Sequence, residues 1–198
     1  MARPSRFSDD DILDGAARAL ADHGPRATIA DVARAIGGPT GSIYHRFASR
    51  DDVFARLWLR SIAHFHEGLL AAYALPDPHE AVTASARHVS AFCRDHPLEA
   101  RSMLLHRASR LAADGPVGVR EDALHINDDI DAAMEELLVR RFPDPTPHRR
   151  ELLSMGTRLA PYGIVRPFIG TEVPAWVDDA VAASAGAIVA LGDGPDVS

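Results

Sequence analysis

The chain contains no lysine, one cysteine, and aromatic residues at only 6% of its 198 positions. All 21 basic residues are arginine, a bias we attribute to GC-rich coding rather than to function. The lone Cys93 excludes an intramolecular disulfide framework and agrees with a reducing compartment. The longest apolar run, near Val181 to Leu191, is too short to span a bilayer. The opening Met-Ala-Arg-Pro-Ser-Arg-Phe-Ser lacks the apolar core of a signal peptide. The expectation is a soluble, cytoplasmic protein with no membrane partner. No stretch alternates apolar and polar residues over a useful length, so no sheet is expected and the fold class is all-α. There is no His-Glu-x-x-His, no paired-cysteine ligand set and no glycine-rich phosphate loop after a strand. His64-x-His66 is an i, i+2 pair on different faces of a helix, so it offers no shared metal site. Cys93 reads as a buried inert thiol, and Ser42 and Ser90 have no triad context. Accordingly no catalytic residue, metal or cofactor is expected.

What is present is concentrated in residues 28–50. Thr28 stands where a helix N-cap belongs, able to accept from the Asp31 N–H, and Asp31 adds negative charge at the positive helix end. Ile29, Val32, Ala33 and Ile36 recur at three- and four-residue steps and give a short amphipathic helix. Gly37-Gly38 ends it, and Pro39 follows at a first-turn position of the next helix. That helix, Pro39 to Phe47, turns Ile43 and Phe47 inward and leaves Thr40, Gly41, Ser42, Tyr44, His45 and Arg46 outside. Hydroxyls, an imidazole and a guanidinium suit phosphates and base edges. Ser49 caps a further helix, with Asp52 completing a box-like cap. Two short helices joined by a tight turn make a helix-turn-helix, whose second helix enters the DNA major groove.

The block from Phe7 to about Trp58 resembles the N-terminal DNA-binding domain of the TetR family of bacterial transcriptional regulators. The residues carrying the resemblance are Ala17 and Leu20 before His23-Gly24, then Thr28-Ile-Ala-Asp-Val-Ala, the turn after Ile36, Gly41-Ser-Ile-Tyr-His-Arg-Phe, and Ser49-Arg50-Asp51 with Val53. It covers roughly the first third of the chain; the rest compares only as a helical pattern. The resemblance implies that Tyr44 and His45 touch the DNA backbone and that Arg50 anchors a phosphate. Thr28 is a further phosphate candidate by position, and Pro39, Thr40, Gly41, Ser42 and Arg46 complete the expected DNA-binding set. The sequence departs from the family pattern at Thr40, where a lysine is common, and at Gly38, where an apolar residue commonly packs; Arg46 is the expected compensation. Tyr44 packed beneath the turn and His45 as a solvated side chain are the structural alternatives. Arg3 and Arg6 read either as an arm reaching DNA or as a tail.

Charge is unevenly divided. Residues 1–50 hold seven Arg and six Asp, a total of +1; residues 51–198 hold fourteen Arg and twenty-two acids, a total of −8. Asp9, Asp10 and Asp11 belong to the start of the first helix after the Ser8 cap, which would release arginines to face phosphates. Domains are placed at 1–50, helix-turn-helix, and 51–198, effector binding and dimerisation.

Helical periodicity places the first helix from about Asp9 to His23 and the fourth from about Arg50 to Tyr73. Further helices are expected from His79 to Arg94, from Pro97 to about Leu111, from after the Gly-Pro-Gly loop to about Phe142, from His148 to Phe168 with a kink at Pro161, and from Ala175 to Leu191 before a frayed tail. The resemblance implies that the middle helices enclose a small-molecule effector, with Trp58, Ile62, Phe65, His66, Phe92, Met103, Leu104, His125, Ile130, Met134 and Tyr162 as lining residues. Core packing explains the same residues equally. It also implies a homodimer formed by the last two helices through Leu152, Leu153, Gly156, Leu159, Gly163, Val177, Val181, Ser184, Ala185 and Ile188; burial within one subunit is the alternative. The functional expectation is a repressor released from a palindromic operator in double-stranded DNA by a small molecule. The rival readings, a small helical enzyme or metal-binding protein and a helical scaffold, leave the Thr40 to Arg46 surface unexplained.

Overall fold

The computed structural model describes residues 7–194, and among these it is helical without a strand. Arg3 and Arg6 lie outside the described residues. The chain divides into two compact units, one formed by the described residues up to Ala63 with Leu98–Ile126, the other by His64–Pro97 with the residues from Asn127 onward.

The first unit begins with α1 (Asp9–His23), where Ser8 accepts from the Asp11 N–H at 3.1 Å and Asp11 accepts from the Ser8 N–H at 2.8 Å. That reciprocal cap satisfies two orphan groups and starts the helix at one position. Then come α2 (Ile29–Ile36), α3 (Thr40–Tyr44) and α4 (Arg50–Tyr73), the last belonging to this unit as far as Ala63. Ile12, Ala16, Leu20, Val32, Ile43, Phe47, Val53 and Leu57 form one buried cluster. Arg60 on α4 donates to Asp10 at 3.2 Å and Asp14 at 2.7 Å on α1, which fastens the two helices along one edge.

The helix expected from Pro97 to Leu111 is two helices, α6 (Pro97–Ser102) and α7 (Ala108–Asp114). Ser102 turns its hydroxyl to the Glu99 carbonyl at 2.7 Å and meets Ser61 at 2.7 Å, a side-chain competition with the backbone that favours a break. The long helix expected to reach Phe142 is likewise α8 (Arg120–His125) and α9 (Asp128–Arg141), interrupted at Ile126 and Asn127. Three acids in the first turn of α9, Asp128, Asp129 and Asp131, complement the helix dipole and mark a new start.

In the second unit α5 (Pro78–Asp95) packs along α12 (Trp176–Ala190), with α9, α10 (Pro147–Ser154) and α11 (Ala160–Val165) beside them. The expected kink at Pro161 takes the form of a widened turn, Met155–Leu159, closed by the Ala160 N–H on the Met155 carbonyl. Proline has no N–H for the ordinary ladder, and the wider turn absorbs the loss. The expected frayed tail is instead tied down as far as the chain is described. Arg149 donates to the Gly192 carbonyl at 2.9 Å, and Arg141 pairs with Asp193 at 2.7 Å.

Candidate nucleic-acid interface

The surface singled out by the sequence is built by local chemistry. Thr28 and Asp31 form a second reciprocal cap: the Thr28 hydroxyl donates to Asp31 at 2.6 Å, its N–H to the same carboxylate at 2.9 Å, and the Asp31 N–H returns to the hydroxyl at 3.3 Å. Those bonds, the Thr28 hydroxyl first, hold the Asp31 carboxyl well below the usual carboxylate range. Arg34 adds an ion pair to Asp31 at 2.8 Å. Both Thr28 donors are therefore committed inside the chain.

At the turn Gly37 adopts the left-handed backbone, φ 65 and ψ 33, where a side chain would be strained. Gly38 then donates to the Ala33 carbonyl at 3.0 Å. A Cβ on Gly38 would meet the Phe7 ring at 2.6 Å, so the apolar side chain that the family pattern puts at this place is supplied here by Phe7. Pro39 is the extended N-cap of α3 rather than its first helical residue. The helix is five residues long and continues beyond Tyr44 only as a turn, closed by the Phe47 N–H on the Ile43 carbonyl at 2.9 Å.

Ile43 and Phe47 are buried and set the rotation of α3. Thr40, Gly41, Tyr44, His45 and Arg46 are exposed, and Ser42 is half-buried. Tyr44 is 56% exposed, which excludes packing beneath the turn.

Two arginines of the expected DNA-binding set have partners within the chain. Arg50 is folded back: its Nε donates to the Ala27 carbonyl at 2.7 Å, one terminal nitrogen to the Pro25 carbonyl at 2.5 Å, and the other to Asp51 at 3.1 Å. A guanidinium held on two carbonyls and a carboxylate clasps the start of α4 to the connection before α2. Arg46 pairs with Asp9 across the domain, and Arg60 is paired to Asp10 and Asp14. The expectation that the acids at the head of α1 leave arginines unpaired is thus corrected, because Asp9 and Asp10 are themselves ion-pair partners. Sequence spacing cannot reveal pairs separated by a fold. Ser49 accepts from the Asp52 N–H at 3.1 Å, and Asp52 accepts from the Ala48 N–H at 3.0 Å, so the end of the turn is fixed by a third cap.

The proposed effector residues fall in both units. In the first, Trp58 is buried and donates to the Met103 carbonyl at 3.1 Å, with Ile62 against the cluster of Trp58, Leu111, Val119 and Ala123; Leu104 and His125 are exposed. In the second, Ile130 and Met134 are core, Tyr162 is exposed, and Phe65 and Phe92 meet edge to face at 5.2 Å, with His66 against Phe65. A pocket of about 170 Å³ in this unit is lined by His64, Glu67, Gly68, His88, Ala91, Phe92, Asp95 and His96. Of the expected lining residues only Phe92 belongs to it. His64, His88 and His96 were missed because His64 stands on α4 and the other two stand within and at the end of α5, so only the fold brings them together.

The proposed interface residues also separate. Leu152, Leu153, Gly156, Val177, Val181 and Ala185 are buried in the packing of their own chain, which leaves them little to offer a partner; Ser184 and Ile188 are half-buried, and Leu159 and Gly163 are exposed. Met155, Tyr162, Trp176 and Leu191 are exposed apolar residues of the same helical region that the stripe reading passed over. Cys93 is buried, and burial pushes its thiol up to about 11, out of nucleophile range. No helix among the described residues is long and apolar enough to cross a membrane.

Residues 12–57 match the family model of bacterial regulatory proteins of the tetR family. No curated protein sequence matches the chain. Among solved structures, a transcriptional regulator from Rhodococcus sp. Rha1 is similar, with a TM-score of 0.73, 19% identity and coverage of 97% of this chain and 100% of that one. The fatty acid degradation regulator FadR from Bacillus halodurans gives a TM-score of 0.69 at 17% identity, covering 96% of each chain. FadR from Bacillus subtilis, solved in complex with stearoyl-CoA, gives 0.61 at 14% identity, covering 93% of this chain and 97% of that one. At such identities the likeness establishes the fold.

Proposed function

We propose that this chain, which carries the N-terminal helix-turn-helix domain of the TetR family, is a repressor that binds a palindromic operator in double-stranded DNA as a homodimer and is released by a small-molecule effector. The observation that carries the reading is the exposed face of α3. Thr40, Gly41, Ser42, Tyr44 and His45 surround a helix whose rotation is set by buried Ile43 and Phe47, and they present hydroxyls and an imidazole with little bulk at the leading end. The B-DNA major groove admits a helix of this width and shows a distinct donor and acceptor pattern for each base pair. In this proposal Pro39 to His45 meet the DNA, Tyr44 and His45 on the backbone. Arg46 contributes when its pair with Asp9 opens, and Thr28 and Arg50 act indirectly, by holding α2 and α4 in place.

One such helix reads few bases, so a dimer is part of the proposal, and half-sites spaced by about one helical turn follow from it. Its interface uses the exposed apolar residues Met155, Leu159 and Tyr162 with Gly163, and Trp176, Ala183, Ala187 and Leu191 on and beyond α12. The effector is a mainly apolar molecule with one or two polar groups, in keeping with the aromatic, methionine and histidine content of the helices that would receive it and with the stearoyl-CoA of the Bacillus subtilis protein. Its binding would shift the population between DNA-competent and released forms by its differential affinity for the two. A cytoplasmic site of action belongs to the same proposal.

The test is selection of genomic fragments by the purified chain at roughly physiological salt, where non-specific phosphate binding is weak. Recovery of a shared palindrome, bound by two chains, is the expected result. Recovery of nothing above background, with and without extracts of small metabolites, overturns the reading.

A further inference from the structure

We propose that the second unit holds a site for a divalent transition-metal ion, with His64 of α4 and His96 at the end of α5 as its nitrogen ligands and the carboxylates of the pocket they line, Glu67 first, beside them. His64 and Glu67 are one helical turn apart, so both side chains lie on one face of α4. His96 is the C-cap of α5, and all three residues line the same pocket of about 170 Å³. The His64 and His96 rings lie 4.5 Å apart between centroids at 71°, and a ligating nitrogen of each lies within 4.8 Å of the other. Two imidazole nitrogens on one tetrahedral ion, each at about 2.0–2.1 Å, stand roughly 3.3 Å apart. A small rotation of either ring closes that gap.

The surroundings fit a cation of this class. Phe92 contacts both rings, at 5.3 Å and 4.9 Å, and forms an apolar wall that restricts their rotation. Glu67 and Asp95 bring two carboxylates to the same pocket, so a dication gains opposite charge as well as ligands. His88 has a different role. Its Nε2–H donates to the Phe65 carbonyl at 2.8 Å, and its ring lies where a Cβ on residue 68 would come within 2.2 Å, so Gly68 lets it close the pocket's back. Two imidazoles with a carboxylate, and remaining positions filled by water, suit zinc, cobalt or nickel better than magnesium or calcium, which favour all-oxygen sets. The i, i+2 spacing of His64 and His66 hides this site in the sequence, because the partner of His64 is on the next helix.

The test uses the untagged full chain, stripped with a chelator and titrated at about pH 7.5. Cobalt(II) is followed by its visible absorption and zinc(II) by calorimetry. Saturable binding of one ion per chain is expected. H64A and H96A should each weaken it by at least about tenfold, E67Q by less, and H148A, an exposed histidine away from the pocket, not at all. In the unsubstituted protein, zinc should also protect His64 and His96 from acylation by diethyl pyrocarbonate. Absence of saturable binding below about 1 mM, retention of affinity in H64A or H96A, or acylation unchanged by zinc overturns the site.

Discussion

The surface around α3 and the surface around α10 to α12 are opposite solutions to being exposed. Around α3 the apolar residues Ile43 and Phe47 are inside, and what faces solvent is hydroxyl, phenol, imidazole and guanidinium. Around α11 and α12 the inward positions are equally apolar, but Leu159, Tyr162, Trp176 and Leu191 also face outward. The first surface already holds its charges in pairs, Arg46 with Asp9 and Arg34 with Asp31, so only a partner dense in negative charge and directional acceptors competes for them. The second has apolar area to remove from water, which a second copy of the same face can do. Under the proposed function the first face meets nucleic acid and the second meets a second copy of the chain.

The largest way to break this contrast is to remove what holds the first face in place. Phe47→Ala should cost about 3–5 kcal/mol, read by denaturant unfolding, because the buried ring is replaced by a cavity under the turn. Charging the second face is next. Leu159→Glu with Ala187→Glu should give single chains in sedimentation velocity, and affinity for a palindrome should fall by about 100-fold or more as the avidity of two linked half-sites is lost. A dimer that survives both charges would move the interface elsewhere.

Arg50→Ala separates clasp from contact. With its guanidinium on Pro25, Ala27 and Asp51, the substitution should cost about 1–2 kcal/mol of stability and leave the slope of DNA affinity against salt unchanged. A slope reduced by about one charge would return Arg50 to the phosphate contacts. Tyr44→Ala should do the converse, weakening DNA binding by about 1 kcal/mol while stability stays within about 0.5 kcal/mol, since the side chain is exposed.

The smallest effect is a pH dependence. His106 in the first unit has a buried Nε2 without a hydrogen-bond partner, and burial lowers its pKa, opposed by Asp51 and assisted by Arg50. A histidine held neutral in the folded chain takes up its proton more readily when unfolded, from about 6.5 downward. Its contribution to stability is therefore present above about pH 6.5 and lost as pH falls below it. Thermal unfolding between about pH 7.5 and 5.5 should show a shallower decline in His106→Gln than in the unsubstituted protein.

How much was legible follows from what each feature depends on. The three caps at Ser8, Thr28 and Ser49, the turn at Gly37 and the burial of Ile43 and Phe47 were readable, because each rests on groups within a few residues of one another. The breaks at Ser102 and at Ile126 were not read, since helical periodicity carries on through them. The hydrogen bonds of Arg50 were not legible either, because the carbonyls of Pro25 and Ala27 that accept them lie more than twenty residues away in sequence.

By itself, then, the sequence determined the all-helical class, the helix-turn-helix and its register, because hydrogen-bond caps and a 3.6-residue period act locally along the chain. Only the tertiary structure decided which arginines are spent in pairs, which small and apolar residues of α10 to α12 are core and which are exposed, and that His64 meets His96. Those outcomes depend on side chains brought together from distant positions, and a linear pattern carries no record of the distance between them.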